Sequence, residues 1–129
     1  MKRSILSYFS ILALVAVFFY SCERNTKAKL TDGTWKLIDF TPKGYTEEWK
    51  FTDTEVILYH TEPGDTAIVF KRGTYSIKNN TISTTGEGLA SAGGEYYRGD
   101  FQIRSLSSTE LVLFRHDLGM QYYEFEKKQ

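Results

Sequence analysis

The sequence predicts an all-β domain, a small antiparallel β-barrel of eight or nine strands, behind an apolar N-terminal leader. Three observations carry this. From Leu30 onward no helical period of any length appears; short runs of β-branched and aromatic residues alternate with turn residues instead. Aromatics make up 16% of the chain, with nine Tyr and nine Phe, a balance that leans toward strands. The links between runs are too short for crossover helices, which parallel pairing requires, so neighbouring strands run antiparallel. Such a meander either closes into a barrel or folds into a sandwich. Closure removes the unpaired edges that invite aggregation, which favours the barrel.

The leader comes first in the chain. Lys2 and Arg3 give it a positive start, and Ile5 to Tyr20 is apolar apart from Ser7 and Ser10. That run is short for a membrane-spanning helix, which needs about 20 apolar residues, and it suits the core of a signal peptide. Ser21 supplies a small residue, and Cys22, the only cysteine, follows at once. The segment resembles a bacterial lipoprotein signal. That resemblance implies diacylglycerol on the Cys22 sulfur, removal of residues 1–21, and a further acyl chain on the freed amine. Two or more acyl chains hold a protein to a membrane stably, where one does so only marginally. Residues 23–29, ERNTKAK, are polar without periodicity and read as a short tether. The expected organisation is therefore signal 1–21, tether 22–29 and barrel 30–129. A lone cysteine cannot form an internal disulfide, so the barrel must rely on its core.

The strands follow in order. TWKLIDFT (34–41) is the first, ended by Pro42, Lys43 and Gly44. EEWKFT (47–52) and EVILYH (55–60) flank an Asp53–Thr54 turn. EPGD (62–65) is a strong turn signal, since Pro presets one dihedral and Gly accepts a positive one. TAIVFK (66–71) comes next, with Gly73 as a break before TYSI (74–77). KNN (78–80) is a tight hairpin corner because Asn tolerates the left-handed backbone, and TISTT (81–85) pairs back. Residues 86–95, GEGLASAGGE, are the longest irregular stretch; their glycines predict a mobile loop able to serve as a lid. YYRGDFQIR (96–104), ELVLFRH (110–116) and MQYYEFEK (120–127) complete the set.

Alternation assigns the inward faces. Trp35 and Leu37, Trp49 and Phe51, Tyr75 and Ile77, Phe101 and Ile103, Leu111 and Leu113, and Tyr123 and Phe125 should point into the barrel. EVILYH and AIVFK are apolar on both faces; they should lie under the tether or the glycine loop, or against another chain.

The bulk numbers exclude one class. Lys+Arg and Asp+Glu are balanced at 16 each, so the basic surplus of a nucleic-acid binder is missing. No nucleophile elbow, phosphate loop, dinucleotide fingerprint or zinc-protease motif occurs. His60 and His116 read as structural or surface residues. Glu62 lies two positions from His60, but the turn that starts there takes it off the shared face. No Cys/His cluster points to a metal, and no cofactor is expected. The aromatics Trp49, Phe51, Tyr75, Phe101 and Tyr123 either fill the barrel or line an apolar pocket with tyrosine hydroxyls to orient a ligand. DTA (65–67) resembles the O-glycosylation sequon of exported proteins in some bacteria, which would place sugar on Thr66.

Four motifs in order suggest a family: LTDGTWKLIDF, WKFTD, GTYSIKNNTIST and FQIRSLSSTELVLF. They resemble the lipocalin-like lipoproteins of Bacteroidetes-type bacteria across residues 30–127. The resemblance implies a small up-and-down barrel on an outer-membrane lipid anchor. It also implies that Gly33 turns the chain into the first strand, that Trp35 plugs the closed end, and that Arg115 packs on that tryptophan as a cation–π partner. The expectation is a non-enzymatic envelope lipoprotein whose barrel binds a small hydrophobic molecule. A solid-core interaction or inhibitor-like module is the first alternative, and a small hydrolase or isomerase the second.

Overall fold

Eight strands form in chain order, each antiparallel to the next: β1 (Thr34–Leu37), β2 (Thr46–Phe51), β3 (Glu55–Thr61), β4 (Ile68–Lys78), β5 (Thr81–Thr85), β6 (Gly99–Leu106), β7 (Glu110–Arg115) and β8 (Gln121–Lys127). The ring closes where β1 pairs with β8, with Trp35 opposite Lys127 and Leu37 opposite Phe125. This computed structural model describes residues 2–38, 44–90, 97–117 and 119–129. The first expected strand beyond 38, the loop at 91–96 and Leu118 lie outside the described residues.

The barrel has two distinct ends. The β2–β3, β4–β5 and β6–β7 turns lie at one, together with the start of β1. The other four connections lie at the opposite, open end. The Lys78–Thr81 corner is the tight hairpin expected, with Asn79 and Asn80 both left-handed at φ 49° and 57°. All twelve inward assignments hold. Nine of these side chains are buried, and Leu37, Ile77 and Ile103 pack partly buried against them.

Three expectations are corrected. Gly73 does not break a strand: residues 68–78 are one element, β4. A Cβ at Gly73 would lie 2.4 Å from Leu89 Cδ1, so the glycine instead makes room for a leucine that is fully buried. The glycine-rich loop is likewise packed in its first half, as a 3-10 turn over Glu87–Leu89. Gly88 lies so close to the Arg72 carbonyl that any side chain there would collide with backbone. Finally, residues 23–29 are not an irregular tether. They belong to a helix, α1 (Lys2–Thr31). Glu, Arg, Lys and Ala favour helix, and nothing in the segment breaks one. Among the described residues no helix is long and apolar enough to cross a membrane.

The end of α1 caps the closed end of the barrel. Leu30 is fully buried in the core, and the Trp35 indole donates to its carbonyl at 3.0 Å. Gly33, at φ +103°, turns the chain from α1 into β1. The same end holds Tyr75, whose hydroxyl donates to the Thr52 carbonyl at 2.6 Å. Burial, with the Asp53 carboxylate adding to it, pushes this phenol up to about 12 from 10.0. The folded state therefore favours the neutral phenol. The stability this contributes is whole below pH 10, the ordinary tyrosine value, and is lost as pH rises from there through about 12. Tyr75→Phe should lower stability by about 1 kcal/mol at neutral pH. It should also make the fall in the urea midpoint between pH 10 and 12 shallower than in the wild type. An unchanged slope would contradict the assignment.

Candidate site at the open end

Each inward file of side chains changes character along the barrel. Read toward the open end, β2 presents Phe51, Trp49 and then Glu47. β3 presents Val56, Leu58 and His60; β5 presents Ile82 and Thr84; β7 presents Leu111, Leu113 and Arg115; and β8 presents Phe125, Tyr123 and Gln121. An apolar floor is thus topped by a polar layer.

The floor is filled with rings. Trp49 lies 5.1–6.3 Å from the centroids of Phe51, Tyr97, Phe101, Tyr123 and Phe125, mostly tilted or edge-on. Phe51 in turn meets Tyr75 at 5.1 Å. The five aromatics with two readings, filling or lining, therefore pack in a chain from Tyr75 at the closed end into the middle of the barrel.

Glu47 is the central polar group above them, only 6% exposed. The β2–β3 register places it directly opposite His60. Its Oε2 accepts the Trp49 indole N–H at 3.2 Å, and its Oε1 accepts the Tyr97 hydroxyl at 2.8 Å. His60 Nε2 lies 3.4 Å from the same Oε1. The Tyr97 carbonyl is fixed by the Thr84 hydroxyl at 2.6 Å, which steadies the ring that reaches Glu47. His60 is flanked by two near-parallel rings, Phe70 at 3.4 Å and Tyr45 at 4.0 Å. Two such rings this close to one imidazole can only cover its two faces. Phe70 reaches it because the β3–β4 register shifts between Leu58 and Tyr59, leaving Phe70 as the extra residue of a bulge.

Arg115 forms a second polar group in this layer. It is 1% exposed, and its guanidinium lies over Phe101 at 4.7 Å. It donates through Nε and Nη2 to the Asp117 carboxylate at 2.7 and 2.5 Å, and through Nη2 to the Arg98 carbonyl at 2.9 Å. The hydrogen bond to Asp117 holds its pKa above the ordinary arginine value. Gly99 permits this arrangement, since a Cβ there would lie 2.9 Å from Arg115 Nη2. The resemblance placed Arg115 on Trp35, and the structure places it elsewhere. On β8 their partners are Gln121 and Lys127, roughly 20 Å apart at ~3.3 Å per residue. The cation over Trp35 is Lys127, at 5.2 Å.

Outside this layer, an open groove of about 710 Å³ is lined by Tyr45, Glu47, Thr61, Glu62 and Asp65 among others. A smaller one of about 320 Å³ shares Tyr45, Glu62 and Asp65 and reaches His60. Of the remaining expected residues, Cys22 is exposed on α1, Thr66 is exposed beside the Pro63–Gly64 turn, and His116 is exposed beside Phe114. Among the described residues no group of three or more His, Cys, Asp or Glu is arranged to hold a metal.

The Glu47–His60 pair escaped the reading of single strands because its partners lie in different strands. The signal was nonetheless present: extending the register of the Thr52–Glu55 turn by five residues brings Glu47 opposite His60. No known family model matches the chain, and no curated protein matches it.

Proposed function

We propose that this chain is a lipid-anchored, non-enzymatic envelope protein of the lipocalin-like kind, and that it binds a small molecule at the open end of the barrel. The observation that carries this is Glu47: a carboxylate nearly closed off from solvent, aimed into a polar layer above an apolar floor. A few convergent polar groups over apolar walls are the make-up of a small-molecule site. The filled middle of the barrel moves the ligand from the interior to the mouth. Cys22, exposed on α1, carries the acyl chains in this reading. Because α1 joins the closed end, the mouth then opens away from the anchor.

Native and denaturing mass spectrometry of the full chain from its own host tests both parts. The expected denatured mass lacks residues 1–21 and carries a diacylglycerol and an acyl group, all of which Cys22→Ser loses. The expected native spectrum adds a small molecule that denaturation releases. An unprocessed chain would overturn the anchor, and a ligand-free native protein would overturn the binding role.

A protein-interaction role is the second reading, and a specific feature favours it. Ile68, Val69, Met120 and Tyr122 are 49–84% exposed, and all lie on the rim of the open end. Ile68 and Val69 belong to the run that was apolar on both faces. If this reading holds, charged substitutions at Ile68 and Val69 abolish partner capture and leave small-molecule binding intact.

A further inference from the structure

We infer that the open-end groove selects a cation, a protonated amine on a flat apolar body, with its ammonium on Glu47 and its ring against Tyr45. This rests on the binding role proposed above and adds the charge and shape of the ligand.

Hydrogen-bond capacity argues for it first. An ionised carboxylate offers about four acceptor positions. Glu47 uses three, for Trp49, Tyr97 and His60. The His60 contact, at 3.4 Å, is the longest and the easiest to displace. A primary ammonium brings three N–H donors and no acceptor, which complements this carboxylate.

Charge points the same way. Among the described residues, the groove is lined by Glu47, Glu62, Asp65 and Glu126 and by one amine, Lys36, which already faces Glu126 at 3.9 Å. The balance among these described residues is negative, which disfavours an anion. The aromatic residues supply the shape. His60 already models the occupant, a flat ring between Tyr45 and Phe70 with a nitrogen toward Glu47. Tyr45 belongs to both grooves, so a ligand entering from either meets its ring, and aromatic faces attract cations.

The test is calorimetric titration of the full chain in a neutral detergent with three probes of one shape: 2-phenylethylammonium, 2-phenylethanol and phenylacetate. The ammonium should bind at least about tenfold more tightly than the alcohol, the yield of one charge-assisted hydrogen bond, and phenylacetate most weakly. Ammonium binding should also shift the Trp49 indole N–H resonance. Glu47→Gln should remove the preference. Should that variant fail to fold, the exposed pair Glu62→Gln and Asp65→Asn should still weaken the ammonium about threefold and leave the alcohol unchanged. If the alcohol or phenylacetate binds as tightly as the ammonium, the cation inference falls and the binding role stands. If none binds, the molecule that co-purifies from the host decides. A neutral or anionic one overturns the inference alone, a cationic one upholds its charge, and none at all overturns both.

Discussion

Trp49→Ala should lower stability by about 3–5 kcal/mol, the range for deleting a large buried aromatic. Trp49 is 1% exposed, and five other rings rest against it. Removing the indole opens a cavity that β2 cannot collapse into, because its neighbours β1 and β3 pin it on both sides. Glu47 also loses a donor in a place where water enters poorly. A domain of this size is stable by only about 5–15 kcal/mol, so the loss takes a large part of the whole. Trp49→Phe keeps most of the packing and loses the N–H, so it should fall between wild type and alanine. Tyr122→Ala, at a side chain 62% exposed, should stay within about 0.5 kcal/mol. Urea unfolding of the three variants checks the order. A Trp49→Ala protein as stable as Tyr122→Ala would mean that the ring cluster does not form the core.

Trp35→Ala should cost a similar ~3–5 kcal/mol through a different failure. Trp35 is fully buried at the closed end, where its indole holds the Leu30 carbonyl and Lys127 covers its ring. Without it, Leu30 loses both a packing partner and the hydrogen bond that fixes the last turn of α1. Trp35→Phe keeps a ring but leaves that carbonyl without its donor, a loss of about 1–3 kcal/mol. Amide hydrogen exchange distinguishes this from general softening. Both variants should speed exchange over residues 27–31 more than across the β6–β7 ladder. Equal acceleration everywhere would remove the special tie between Trp35 and the helix.

The alternation of oil and water along each strand made the barrel's inside readable from the chain alone. Trp35, Trp49, Phe101 and Phe125 face in because polar residues take the opposite face on either side of each. The Asn79–Asn80 corner was equally legible, since few other residues adopt two left-handed conformations in a row. What escaped depends on contacts between distant segments. Gly73 has the look of a breaker in sequence, and only the leucine sixteen positions later, packed into the space it leaves, explains it. Residues 23–29 lack an amphipathic period because their helix touches the barrel chiefly at its end, through Leu30, so no apolar stripe is needed. Arg115 was correctly placed on the inward face. Its partners, Asp117 and the Arg98 carbonyl, follow from how the open-end connections fold back, which periodicity does not encode.

Barrel closure underlies everything above, because it creates the floor, the mouth and the position of Glu47 between them. Lys128 donates to the Thr34 carbonyl and Ile38 to the Glu124 carbonyl, so the Leu37–Phe125 pair falls between hydrogen-bonded rungs. In such a pair the Cα atoms approach to about 4.5 Å, and the two Hα protons come into close contact. The direct measurement is a nuclear Overhauser effect between Hα of Leu37 and Hα of Phe125 in the full chain. A strong cross-peak, with a slowly exchanging Ile38 amide, is the predicted result. Its absence in a folded sample whose Leu111–Phe125 contact on the other side of β8 is intact would show an open sheet and contradict the barrel.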